Sequence, residues 1–177
     1  MKKNNKGFSL IELIIVLAIL SILTLGVSYG VGLLTDKPAK QCAMKLESFI
    51  SDCRVTTMGK LNAVLYLYMD GDRLMVKKVI DTSSTEHSET VTELGSGIAV
   101  SYRVSGDATG SYRTLGGVST PLVIAFDRSS GAFLPLDVMG SEFVGKYCLE
   151  IKVEVPGNDK VKLLKLSYLT GKVVLEE

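Results

Sequence analysis

With 177 residues, 20 Lys+Arg against 19 Asp+Glu and one histidine, the chain carries a formal charge of +1. That length suits one domain with an appended segment, and the balance lacks the basic surplus of a general nucleic-acid binder. Three cysteines without a C-x-x-C pair, beside the single His87, exclude a zinc site of ordinary spacing.

Residues 1–7 (Met-Lys-Lys-Asn-Asn-Lys-Gly) are polar and contain Lys2, Lys3 and Lys6. From Phe8 to Leu25 nearly every residue is apolar, and the weakly polar stretch Gly26 to Leu34 extends the run. As one helix, residues 8–35 would rise about 42 Å, more than the ~30 Å hydrocarbon core of a bilayer requires. The segment is expected to span a membrane once. An ordinary secretory signal has a shorter apolar stretch ending in a small-residue cleavage site, and no such end follows here. Lys37, Lys40 and Lys45 follow the run, so charge orients it only weakly. The large polar domain beyond favours an amino terminus in the cytoplasm.

Glu12 interrupts this run. A carboxylate there costs roughly 2.5–3.5 kcal/mol on insertion scales and calls for a partner at the same depth. No lysine or arginine lies between Phe8 and Leu34 to serve. A free α-amino group on Phe8, made by cutting after Gly7, would. In a stack of such helices, Glu12 of one subunit pairs with the Phe8 amine of its neighbour. The alternative is a Glu12 that reaches the headgroups unaided.

The stretch Lys6-Gly7-Phe8-Ser9-Leu10-Ile11-Glu12 resembles the class III signal of type IV prepilins and pseudopilins. The resemblance implies cleavage of the Gly7–Phe8 bond by a prepilin peptidase, N-methylation of Phe8 and a role for Glu12 in assembly. It implies partners as well: other pilin or pseudopilin subunits, in a homo- or hetero-polymer, and an inner-membrane assembly platform. The chain would sit single-pass in the cytoplasmic membrane, then in a cell-surface filament or periplasmic pseudopilus. Losing residues 1–7 removes three of the 20 basic groups and leaves 17 against 19 acidic ones, a formal charge of −2. That again disfavours nucleic acid as a partner.

Gly26, Gly30 and Gly32 follow in the chain. They either let helices pack closely, Gly26 and Gly30 forming G-x-x-x-G, or mark a stretch that unwinds on assembly, as the resemblance suggests. Pro38 then fits a break, a kink or a first helical turn. Cys42, Leu46, Phe49, Ile50 and Cys53 recur with helical spacing, an apolar stripe suited to packing on a sheet, and Gly59 suits the helix end. Beyond it the period changes to two. Asp70-Gly71-Asp72, between the apolar runs 63–69 and 73–80, predicts a hairpin. Further strands are expected at 98–105, 122–127, 147–155, 161–169 and 173–175. The polar stretch Asp81–Glu89 is expected to form an exposed loop.

On a continuous helix Cys42 and Cys53 stand about 16 Å apart, well past the ~7 Å Cα limit for a disulfide. Any bridge would therefore join Cys148 to Cys42 or Cys53. Strict alternation over 147–155 puts Cys148 on the polar face unless a bulge intervenes, so a reduced Cys148 is expected.

The expected fold class is α+β: a long N-terminal helix, membrane-spanning in its first half, then an antiparallel β-rich head. Its parts are a leader (1–7), a transmembrane and assembly helix (8–35), an amphipathic helix packing on the head (36–58) and the head itself (59–177). This order resembles the pilin superfamily. The hairpin after the helix and the closing strand–Thr-Gly-Lys–strand are similar to H-type minor pseudopilins of type II secretion. Only Cys148 lies in the carboxy-terminal half, unlike the cysteine pair of many major pilins, and the acidic end lacks the basic residues of DNA-capturing relatives.

No catalytic residue is expected. His87 falls in the polar stretch and no G-x-S-x-G occurs. Asp70 and Asp72 lack the remaining ligands of a calcium loop, and no phosphate-loop lysine pattern is present. No metal or cofactor is expected. The reading is a structural pilin or minor pilin/pseudopilin of a type IV pilus or type II secretion-like filament. The alternatives are a membrane-displayed adhesive or recognition module at a filament tip, a competence pseudopilin, and a tethered enzyme.

Overall fold

The computed structural model describes residues 10–21, 37–59, 61–81, 87–108, 110–158 and 160–176. The chain divides into two compact units, Met1–Thr35 and Asp36–Glu177. In the first, residues 10–21 are helical (α1). Gly7, Phe8, Gly26, Gly30 and Gly32 lie outside the described residues.

The second unit begins with α2 (Lys37–Met58). Pro38 sits in its first turn, where a missing N–H costs no hydrogen bond, and the Gly59 amide donates to Val55 O (2.9 Å) as the helix ends. Ala39, Cys42, Ala43, Leu46, Ile50, Cys53 and Thr57 form its buried stripe. Burying Leu46 or Ile50 contributes about 1.5–3 kcal/mol each. Thr57, the polar member, is satisfied by donating its hydroxyl to Cys53 O (3.0 Å).

Two antiparallel sheets follow. β1 (Asn62–Asp70), β2 (Arg73–Asp81), β3 (His87–Ser96) and β6 (Leu122–Ala125) pair in the order β3-β2-β1-β6. The second sheet runs β5-β4-β7-β8-β9 and comprises β4 (Ala99–Val104), β5 (Arg113–Thr114), β7 (Cys148–Glu154), β8 (Val161–Ser167) and β9 (Lys172–Glu176). The helix packs on β1 and β3 of one sheet and on β7, β8 and β9 of the other. Alternate residues feed the shared core: Leu65 and Leu67 from β1, Leu74 and Val76 from β2, Val100 and Val104 from β4, Ile151 and Val153 from β7. A helix followed by antiparallel sheets makes the fold α+β.

The hairpin at Asp70-Gly71-Asp72 forms, with Asp70 opposite Arg73 and Gly71 at φ +64°. Two expectations need correction. The polar stretch expected as a loop contributes its last three residues, His87 to Glu89, to β3, which pairs with β2 from Asp81↔His87 to Arg73↔Ser96. β3 is an edge strand in which only Leu94 is buried. Its pairing is made by backbone groups, so no apolar alternation announces it. Cys148 is the other correction: it is buried, not on the polar face. The register between β4 and β7 shifts beside Arg103/Val104, where Arg103 faces Glu150 and Val104 faces Cys148. Leu149 is the extra residue of a bulge, which turns Cys148 to the side of Ile151 and Val153.

Candidate assembly helix and the surfaces of the head

Helix α1 has no dry face. Leu10, Ile11, Leu13, Ile14, Leu17 and Leu20 are all more than half exposed, Leu10 reaching 77%. A helix apolar on every side belongs in a protein core or a membrane, because no face is left for water. Among the described residues no helix is long and apolar enough to cross a membrane; the twelve residues of α1 would rise only about 18 Å. Glu12, exposed in the first described turn of this helix, is its one charged residue. Ser21 donates its hydroxyl to Leu17 O (2.7 Å), so the polar side chain at the other end is bonded along the helix. Gly7 and Phe8, the expected cleavage and methylation positions, fall outside the described residues.

In the head, Cys42, Cys53 and Cys148 are buried free thiols. Burial pushes each of them up to about 12, because a thiolate in an apolar surrounding loses its hydration. Among the described residues no group of three or more His, Cys, Asp or Glu side chains is placed to hold a metal ion.

The outer face of the five-stranded sheet is closed by mutually bonded charges. Arg103 grips Glu150 through both carboxylate oxygens (3.0 and 2.7 Å), and Tyr112 donates its hydroxyl to the same carboxylate (2.6 Å). With these three donors, led by the guanidinium, the carboxyl falls to about 2. Lys152–Glu154 (2.7 Å) and Lys165–Glu176 (2.8 Å) continue the pattern. Nearby, Arg113 forks onto Asp107 (2.9 and 3.1 Å) and lies 5.0 Å from the Phe143 ring centre, fastening the 137–143 segment to the sheet.

The outer face of the four-stranded sheet is different in kind. Val64, Tyr66 and Tyr68 of β1 alternate with its buried residues, and β2 adds Lys77 and Val79. Pro121, just before β6, and the exposed Val118 flank them, and with Asp81, His87 and Glu89 they line an open cavity of about 540 Å³. His87 Nδ1 lies 2.7 Å from Asp81 Oδ1, and Lys77 pairs with Glu89 at 2.7 Å. The sequence singled out neither tyrosine. Their signal was the alternation of Tyr66 and Tyr68 with Leu65 and Leu67, which says they share a face but not what stands over it.

Residues 2–28 match the family model described as the prokaryotic N-terminal methylation motif. No curated protein and no solved structure matches the chain. The matched stretch contains Gly7, Phe8 and Glu12 together with all of α1. At its amino end the chain carries the methylation motif characteristic of type IV prepilins and pseudopilins.

Proposed function

We propose that this chain is a structural subunit, a pilin or minor pilin/pseudopilin, of a type IV pilus or type II secretion-like filament, with no catalytic role of its own. A prepilin peptidase cuts Gly7–Phe8, the new Phe8 amine is methylated, and residues 8–35 hold the chain in the membrane until it joins other subunits at an assembly platform. The observation that carries this reading is α1: a helix apolar on all sides, within the matched motif, whose one charge is Glu12. Such a surface is stable only in lipid or packed among other protein helices. A carboxylate in either place needs a cation, and the Phe8 amine of a neighbour supplies one. The order of helix, hairpin and two sheets supports a minor, H-type subunit within this class.

Mass spectrometry of the amino-terminal peptide from sheared surface material tests it. The expected peptide begins at Phe8 and carries one added methyl group; a peptide that retains Met1 overturns the reading. A Glu12→Ala chain should still be cut but be missing from the sheared filaments.

A further inference from the structure

The head turns two sheet faces outward, and they differ in chemistry. On the five-stranded sheet Arg103, Glu150, Lys152, Glu154, Lys165 and Glu176 satisfy one another. On the four-stranded sheet the floor is aromatic and aliphatic, and it is open to solvent between flanking side chains. The cavity of about 540 Å³ over Tyr66 and Tyr68 shares Tyr66 and Pro121 with a second, of about 610 Å³, which reaches Val123, Met139 and Phe143. Each falls within the ~300–1,000 Å³ usual for ligand sites. Together they form one groove that crosses β1 toward β6 at one end and β3 at the other.

We infer that this groove binds a neutral oligosaccharide, stacked on Tyr66 and Tyr68 and hydrogen-bonded by Lys77, Asp81, His87 and Glu89. Three ligand chemistries compete for such a place. An anionic ligand meets the Asp81 carboxylate, while Lys77, the one lysine of the lining, is already neutralised by Glu89. A wholly apolar segment would cover Asp81 and Glu89 and strip their water without returning hydrogen bonds. A neutral sugar meets neither penalty. Its C–H faces suit the tyrosine rings, carried by residues about 7 Å apart on one strand face. Its hydroxyls both donate and accept, as the carboxylates and the Lys77 ammonium require. The Lys77–Glu89 ion pair and the His87–Asp81 hydrogen bond link β2 to β3, so these polar groups lie side by side along one margin of the groove. The inference does not rest on the filament reading, since the groove lies wholly in the Asp36–Glu177 unit.

The test uses the full chain in a non-glycosidic detergent, applied to an array of neutral and anionic oligosaccharides and to an apolar peptide, acetyl-Leu-Val-Phe-amide. Neutral oligosaccharides should be retained. Tyr68→Ala should weaken the best of them at least tenfold by calorimetry, and Tyr68→Leu, which preserves an apolar side chain, should do the same. Tyr112→Phe, on the other sheet, should leave binding unchanged. Circular dichroism melting confirms that each variant is folded, and the leucine variant stands in should the alanine variant not be. Retention of anionic glycans alone, of the peptide alone or of nothing overturns the inference, as does full affinity in folded Tyr68→Leu. Mass spectra of the amino terminus are indifferent to all of these outcomes, so failure here and failure of the filament reading are separable.

Discussion

Glu150 shows how a single side chain can carry stability that depends on pH. Its carboxylate, 14% exposed, takes three charge-assisted or hydroxyl hydrogen bonds from Arg103 and Tyr112. The folded carboxyl is depressed from 4.5 to about 2, first by the Arg103 guanidinium. A depressed acid stabilises the fold fully above its unfolded value and loses that contribution as pH falls toward the folded one. Stability should therefore decline between pH 4.5 and about 2. Glu150→Gln should cost about 2–3 kcal/mol at neutral pH, since it leaves a covered guanidinium short of its partner. Urea unfolding at several pH values should show that loss together with a shallower acid limb. The thiols act at the other extreme. Their folded values, raised by burial from 9.0 to about 12, make the neutral form part of the fold. Their contribution is complete below pH 9 and fades as pH rises toward 12. A native chain should react with none of its three cysteines in a thiol-exchange assay at pH 8, and with all three once unfolded.

Elements meet most tightly where α2, the 127–133 turn and the β8–β9 turn converge. Arg54 of α2 donates Nε to Gly131 O (2.9 Å), and Gly171, at φ +65°, packs against that same carbonyl. A Cβ built on Gly171 would stand 1.7 Å from Gly131 O. Gly171→Ala therefore meets both an unfavourable backbone region and backbone that cannot move aside, and should destabilise by about 2–4 kcal/mol. A thermal melt against Gly157→Ala separates the two causes, because Gly157 also has positive φ but nothing within 4 Å of its Cβ. The Asp127 side chain organises the turn itself, accepting from the amides and hydroxyls of both Ser129 and Ser130. β3 is the opposite case. Its first half is exposed on both faces and held through β2 alone, so its amides should exchange hydrogen well before those of β1 or β7.

At the scale of the whole molecule, two units have opposite relations to water. The Asp36–Glu177 unit buries a core from α2 and both sheets, and among the described residues no buried side-chain polar atom lacks a partner. The residues of α1 present apolar surface all round, far beyond the scattered single residues normal for a soluble surface. The full chain should sediment from detergent-free buffer and run as a discrete species only in micelles. A monodisperse monomer without detergent would contradict the assignment of α1 to lipid or to other subunits.

Much of this was open to reading along the chain, and the rest was not, for reasons of range. The apolar run around Glu12, the stripe from Cys42 to Cys53 and the turn at Asp70-Gly71-Asp72 are local patterns. Each states its own period and chemistry within a dozen residues, so an apolar helix, an amphipathic one and a β-rich remainder can be read from the letters alone. The burial of Cys148, the strand at His87–Ser96 and the groove over Tyr66 and Tyr68 arise only once distant parts of the chain have come together. A bulge is a mismatch between two strands, an edge strand is made by its neighbour's free backbone, and a groove needs flanks contributed by residues some fifty positions away (Val118 and Pro121 beside Tyr66 and Tyr68). Those are relations between distant segments, and no window of local pattern contains them.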